Sequence, residues 1–295
     1  MARRALVLGG GGPVGIAWET GLAAGLAEHG IDLREADIIV GTSAGSAVGA
    51  QLALGRVPSE MVTAIKGQAG AAPPAATGSA PAPAADLTEL MRLMARAASG
   101  ESTPEAARAE LGQFALRAQT PPEETFIAGF GRTLSGAAWP SRRFTCTAVD
   151  TADGSFVTWD NDSGVPLAAA VASSCSVPGI VPPITINGRR YMDGGMRSAT
   201  NIDLVAGYDV VLAVVVRAAE LAAGNPMAEA SKQRLESELD AVRNAGGAVE
   251  VIAPDDAAIE VFGVNLMDFS RRTGAVDAGV RQGRAEAERL KDFWK

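Results

Sequence analysis

Two strand–turn–helix units stand within the first 55 residues, and nothing else in the chain constrains its fold as strongly. Residues 4–8 read as a short buried strand that ends in Gly9-Gly10-Gly11-Gly12-Pro13-Val14-Gly15. A helix pattern follows from Ile16 to about His29, with Gly30 as the residue that stops it. Asp37-Ile38-Ile39-Val40 form a second strand, which runs through Gly41-Thr42-Ser43-Ala44-Gly45 into a small-residue helix over about 44–54. Two such units in succession predict an α/β chain with a parallel sheet.

The remaining pattern extends that reading. The low-complexity stretch 67–85 is rich in Ala, Pro, Gly and Ser and is expected as an extended loop. Helical patterns follow at about 86–99, 104–119 and 122–136. Residues 67–136 read either as an insertion over the sheet or, equally, as outer helices of the α/β layer. Strands are expected at 143–149 and 155–159, around a turn at Asp153-Gly154. A helix at about 166–173 leads to Cys175-Ser176-Val177-Pro178-Gly179. Strands 184–186 and 189–192 flank Asn187-Gly188, a hairpin signal, and run into Asp193-Gly194-Gly195. A buried strand at 210–216, a charged helix at 226–244, a strand at 248–252 and a terminal helix at 275–292 complete the chain. The charges interspersed along the terminal helix predict a solvated face.

Composition narrows the chemistry. The 295 residues contain one histidine, His29, and two cysteines, Cys146 and Cys175, which excludes multi-histidine metal chemistry and a structural zinc site within one chain. No metal is expected. With 26 basic and 34 acidic residues the net charge is −8, which disfavours nucleic acid as a partner. The start of the chain lacks the apolar run of a signal peptide, and no run of 18 apolar residues exists. The expected location is the cytoplasm.

Gly41-Thr42-Ser43-Ala44-Gly45 fits the nucleophile-elbow pattern G-x-S-x-G. Glycines two residues either side let a serine sit in a strained strand-to-helix turn, with its hydroxyl projecting at the carboxyl end of the sheet. The preceding Ile38-Ile39-Val40 and the following small-residue helix supply that context. Gly9–Gly12 stand at an equivalent strand end, where successive amides can turn toward one anion. One reading is a dinucleotide fingerprint on Gly10, Gly12 and Gly15, with Asp32 or Asp37 as the acidic partner. The other is an oxyanion hole built from the amides of Gly10, Gly11 and Gly12. The second strand ends in the serine elbow rather than in an acidic residue, which favours acyl transfer.

A serine nucleophile needs a base. His29 lies at the far end of the first helix, roughly 20 Å from the strand ends at 1.5 Å per residue, and a base must reach within about 3 Å of its proton. The base is then a carboxylate or a lysine. Asp193 is the best candidate, because it ends a strand and is followed by Gly194 and Gly195, which let the backbone pass close to another loop. Asp150, Asp160 and Asp203 are its rivals on position. Ser46 lies past the elbow and is a poor nucleophile.

These blocks resemble the patatin-like phospholipases, Ser-Asp lipid acyl hydrolases. Leu8 to Gly15 looks like the family's glycine-rich oxyanion loop, Gly41-Thr42-Ser43-Ala44-Gly45 like its elbow, and Asp193-Gly194-Gly195 like its Asp-Gly-Gly motif. Ala172-Ser173-Ser174-Cys175-Ser176-Val177-Pro178 is similar to its Ala-Ser-x-x-x-Pro segment. The resemblance covers about 1–55 and 143–216. It implies a single domain over 1–295 and a patatin-like three-layer α/β fold with a mainly parallel central sheet and helices on both faces; the insertion at 67–136, with Leu87, Leu90, Met91, Leu93 and Met94, is a candidate lid or, equally, a stripe packed on the core. It implies Ser43 as nucleophile, Asp193 as base, Gly10, Gly11 and Gly12 as oxyanion donors, and Gly15, Gly41, Gly45, Gly194 and Gly195 as supports. No cofactor is implied. The expected partners are a lipid or ester substrate and a transiently contacted membrane surface, with the oligomeric state open. In one respect the chain departs from the family: Val14 stands where members usually carry Arg or Lys. The competing readings are a catalytically silent lipid-binding or regulatory protein on the same fold, and a nucleotide-binding oxidoreductase.

Overall fold

The computed structural model describes residues 2–68, 87–216 and 226–295. Most of the expected loop at 67–85 lies outside the described residues. The first strand, β1 (Arg4–Leu8), leads directly into α1 (Gly12–Ala27), which therefore starts inside the glycine run, four residues earlier than its apolar pattern suggests. Its end follows the expected chemistry. Gly30 takes φ +82°, and the Ile31 amide donates back to the Leu26 carbonyl, closing the helix. Next come β2 (Ile38–Gly41) and α2 (Ala44–Ala53), then α3 (Pro58–Gly67), a helix the sequence reading did not anticipate. The elements α4 (Leu87–Ala98), α5 (Pro104–Arg117) and α6 (Glu123–Thr133) precede β3 (Arg143–Asp150) and β4 (Phe156–Trp159). They are followed by α7 (Leu167–Ser174), β5 (Ile184–Ile186) and β6 (Arg189–Asp193). Then come β7 (Val210–Val214), α8 (Pro226–Asn244), β8 (Ala248–Ile252), the unanticipated α9 (Asp256–Phe262) and α10 (Arg272–Leu290).

Among the described residues the strands form one sheet in the order β5-β6-β3-β2-β1-β7-β8, with β4 also paired to β3. The five strands from β3 to β8 along that order are parallel, while β4 and β6 pair antiparallel with β3 and β5 pairs antiparallel with β6. The β5–β6 turn uses Asn187 and Gly188, both at positive φ, as a two-residue hairpin requires. Side chains alternate between two buried faces. Leu6, Leu8, Ile39, Leu212 and Val214 point into a core with α1, α2 and α7, whereas Ala5, Val7, Ile38, Val40 and Val211 point into a core with α8. This is the mixed α/β arrangement with helices on both faces of a central sheet. A third apolar cluster joins Leu90, Leu93, Leu111 and Phe114 of α4 and α5 to Val149 and Met192 of the sheet. By contrast, α6 packs on α7 and places Phe126 and Phe130 against the first core. The helices of the 67–136 segment are thus split between different cores.

The terminal helix has the solvated charged face expected of it and, opposite, a buried face. One face of α10 is buried along Ala275, Val276, Gly279, Gln282, Gly283 and Leu290, while its charged face stays in water. Gly21 and Gly25 of α1 face Gly279 and Gly283, and the two backbones approach so closely that a Cβ at any of the four would overlap the partner helix. Beside this contact Trp18 packs edge-on against Phe262 and donates to Gln282 at 3.3 Å.

Candidate active site

The site is made by a head-on meeting of two strands. A strand has two edges, and β4 occupies one edge of β3 from Cys146 to Val149. Both β2, which ends with Gly41 opposite Cys146, and β6, which ends with Asp193 opposite Ala148, must use the other edge. They run in opposite directions and abut at their carboxyl ends, with Thr147 between them. Ser43, two residues past the end of β2, and Asp193, at the end of β6, are thereby brought together although 150 positions separate them in the chain.

The elbow is strained as the pattern requires. Ser43 has φ 53° and ψ −115° at the N-terminus of α2. Its glycines are needed for space: a Cβ at Gly45 would overlap the Leu8 carbonyl, and one at Gly41 would lie 2.5 Å from the Gly45 oxygen. The Ser43 amide donates to Ser174 Oγ at 3.0 Å, Ser174 is hydrogen-bonded to Ser46 at 2.6 Å, and the Cys175 thiol donates to the Ser43 carbonyl at 3.1 Å. Ser46 is thus a buried structural hydroxyl. On the other side Thr42 Oγ1 meets Thr147 Oγ1 at 3.0 Å and accepts from Asn201 Nδ2 at 2.9 Å. Asn201 holds a left-handed conformation, with φ 55°. Sequence reasoning singled out neither Thr147 nor Asn201, and no local signal marks them. Ser174 lay within the quoted Ala-Ser segment but had no role.

Asp193 is 2% exposed and Ser43 is 7% exposed. Burial pushes the Asp193 carboxyl up to about 7, opposed by hydrogen bonds from the Ser43 hydroxyl and the Gly195 amide. The Gly195 amide donates to Asp193 Oδ1 at 2.7 Å. The rival carboxylates are engaged elsewhere: Asp150 and Asp153 hold Arg189, Asp203 holds Arg197 at 2.5 Å, and Asp160 caps a local turn with Ser163. His29 is exposed at the far end of α1, about 25 Å from its start at 1.5 Å per residue.

The glycine loop lies against the elbow. A Cβ on Gly10 would stand 3.4 Å from the Ser43 Cβ, and one on Gly15 would stand 3.3 Å from the Ala44 Cβ. The Gly10 amide, however, donates to the Ala199 carbonyl at 2.8 Å, so Gly10 is not a free donor as expected. The reason is tertiary: the chain leaving Asp193-Gly194-Gly195 returns beside β1 and takes that amide. Among the described residues the amides of Gly11 and Gly12 have no acceptor. Both are held from behind, since a Cβ on Gly11 would lie 2.7 Å from Val216 Cγ1, and one on Gly12 would lie 2.7 Å from the Leu266 carbonyl. Gly12 also has φ 57°. The N-termini of α1 and α2 both open here, so two positive helix ends face one point without a basic side chain at position 14.

The acidic partner of a dinucleotide site is not at this end of the sheet. Asp37 precedes β2 and accepts from the Arg4 amide at 2.6 Å, and Asp32 is bonded to Arg34. Among the described residues no group of three or more His, Cys, Asp or Glu side chains is placed to hold a metal, and no helix is long and apolar enough to cross a membrane.

A family model described as patatin-like phospholipase matches residues 6–206, a span that includes the glycine loop, the elbow and Asp193-Gly194-Gly195. Among solved structures, VipD from Legionella pneumophila is similar at 14% identity and a TM-score of 0.49, with 98% of this chain covering 67% of that one. ExoU in its complex with SpcU from Pseudomonas aeruginosa is similar at 19% identity and a TM-score of 0.37, with 96% of this chain covering 52% of that one. The chain therefore spans about half the length of ExoU. No curated protein matches the sequence.

Proposed function

The chain belongs to the patatin-like phospholipase family, and from that premise we propose that it hydrolyses carboxylic esters of lipids through a Ser43–Asp193 dyad. The observation that carries this reading is the buried meeting of the Ser43 hydroxyl with a carboxylate whose pKa burial has raised to about 7. An aspartate at its ordinary value near 4 is a weak base, whereas one near 7 both takes and returns a proton at neutral pH.

In the proposed cycle Ser43 Oγ attacks the ester carbonyl as Asp193 takes its proton. The developing oxyanion rests on the Gly11 and Gly12 amides, at the positive N-terminal end of α1. Protonated Asp193 returns the proton to the departing alcohol, leaving an acyl-serine. Water then attacks that ester with Asp193 again as base, and Ser43 is released. The protein's own groups supply every proton transfer.

A fluorophosphonate probe tests the assignment. It is expected to label the wild type and His29→Ala equally and to leave Ser43→Ala unlabelled. Wild-type protein that takes no label and turns over no ester would overturn the proposal and favour a non-catalytic lipid-binding protein. The glycine loop gives a second test. Gly12→Ala places a side chain at positive φ against Leu266 and should displace the donors, lowering kcat by about 10²–10³. Short-chain ester kinetics check this, and an unchanged kcat in a folded variant would remove Gly12 from the oxyanion hole.

A further inference from the structure

Next to Gly195 the described residues line an open pocket of about 150 Å³, formed by Met94, Ala97 and Ala98 of α4, Leu111 of α5, Gly195, Met196 and Met227 of α8. Resting on the hydrolase reading above, we propose that this cavity is the acyl-chain subsite and that it selects short to medium acyl groups of roughly four to eight carbons.

Three observations lead there. The first is position. Gly195 lines the cavity and also donates its amide to Asp193 Oδ1, so one residue borders both the proposed base and the cavity. Gly195 needs no unusual backbone angle, but a Cβ there would stand 2.9 Å from Asp193 Oδ1. Glycine keeps the space between carboxylate and cavity free of a side chain. The second is chemistry. The lining carries no charged or hydrogen-bonding side chain, and three of its residues are methionines, whose flexible, polarisable thioethers adapt to an alkyl chain. A phosphate or sugar head group finds no side-chain partner in it. A larger concavity along α8, lined by Glu229, Lys232, Glu236 and Asp240, is charged and does not include the dyad.

The third is size. An apolar space of about 150 Å³ accepts a benzene-sized group, that is, about six carbons. Leu111 of the lining belongs to the buried cluster with Leu93, Phe114 and Met192, and Met94 and Met196 pack against that cluster. The pocket's α4 wall comes from the segment expected as a lid. Leu90 and Leu93 are in the core and Met91 is exposed, so this helix builds a wall more than it covers a mouth.

The test is a chain-length series of p-nitrophenyl esters from acetate to laurate. For the wild type, kcat/KM is expected to peak between four and eight carbons and to fall at least ten-fold at twelve. Ala97→Phe fills the pocket and should lower the hexanoate-to-acetate ratio of kcat/KM at least ten-fold. Met94→Ala enlarges it and should move the peak to longer chains, which keeps the proposal testable should Ala97→Phe fail to fold. Folded variants that keep the wild-type chain-length profile overturn the subsite while leaving the hydrolase reading intact. A wild type that hydrolyses no ester in the series overturns both.

Discussion

Asp193→Asn is expected to lower ester turnover by about 10⁴-fold and, above pH 7, to make the protein more stable. The first effect follows from the role proposed for the carboxylate. Asparagine cannot take the Ser43 proton, and losing one member of a nucleophile–base pair commonly costs about 10⁴ or more. The second follows from linkage. In the unfolded chain the Asp193 carboxyl titrates near its ordinary 3.8, whereas burial moves it to about 7 in the fold. Between those values the native state holds a proton that the unfolded state has released. Stability is therefore present below about 3.8 and falls as pH rises toward 7, because the native protein must then carry a desolvated charge. Each unit of separation is worth about 1.4 kcal/mol, so the substitution should recover a few kcal/mol at pH 8. Asparagine Oδ1 can still accept from the Gly195 amide. Wild-type kcat/KM should rise through about pH 7 and level off above it, since the base works only when deprotonated. Urea melts at pH 5 and pH 8 with a pH–rate profile check both halves. A variant that is inactive but no more stable at pH 8 would mean the wild-type carboxyl is not held near 7.

Gly279→Ala is expected to destabilise the fold by about 3 kcal/mol. The added Cβ overlaps the Trp18 carbonyl and crowds the Leu22 amide nitrogen, and both are backbone, so no rotamer change relieves it. Either α1 and α10 separate, exposing Trp18, Leu22, Val276 and Leu290, or the helices distort. Gly129→Ala is the matched control. It lies within α6 with nothing within 4 Å of its Cβ position, and there the better helix former should add about 0.5–1 kcal/mol. Denaturant unfolding read by tryptophan fluorescence separates the two, because Trp18 sits in the α1–α10 contact. Equal effects of the two substitutions would dismiss the close approach of these helices.

Much of the architecture was legible because hydrophobic alternation and glycine placement are local signals. The strand–turn–helix units, the Asn187-Gly188 hairpin and the Gly30 helix stop follow from backbone sterics that act within a few residues. The elbow at Ser43 and the carboxylate at Asp193 were readable for the same reason, since each stands in a glycine context that its turn demands. The misread elements share the opposite character. Charges along α10 described its outer face correctly, but small residues at its inner positions carry little hydrophobic signal, so its burial against α1 was missed. The Gly10 amide looked equivalent to those of Gly11 and Gly12, because nothing local says that Ala199 takes it. Ser174, Thr147 and Asn201 hold the elbow from segments more than 100 residues away, and each is an ordinary polar residue in its own neighbourhood.

Taken alone, the sequence determined which residues could do chemistry and which turns would present them. With a single histidine at the wrong end of a helix, and one serine elbow, it left a carboxylate or a lysine as the candidate base, Asp193 foremost. Only the tertiary structure decided that this carboxylate faces Ser43. That depends on β2 and β6 abutting along one edge of β3, a register set by pairing between strands far apart in the chain. The same packing removed water from Asp193 and raised its pKa, and it set Gly195 at the rim of an apolar cavity. Desolvation and close approach are properties of what surrounds a residue in space, and the order of residues along the chain carries them only through the fold.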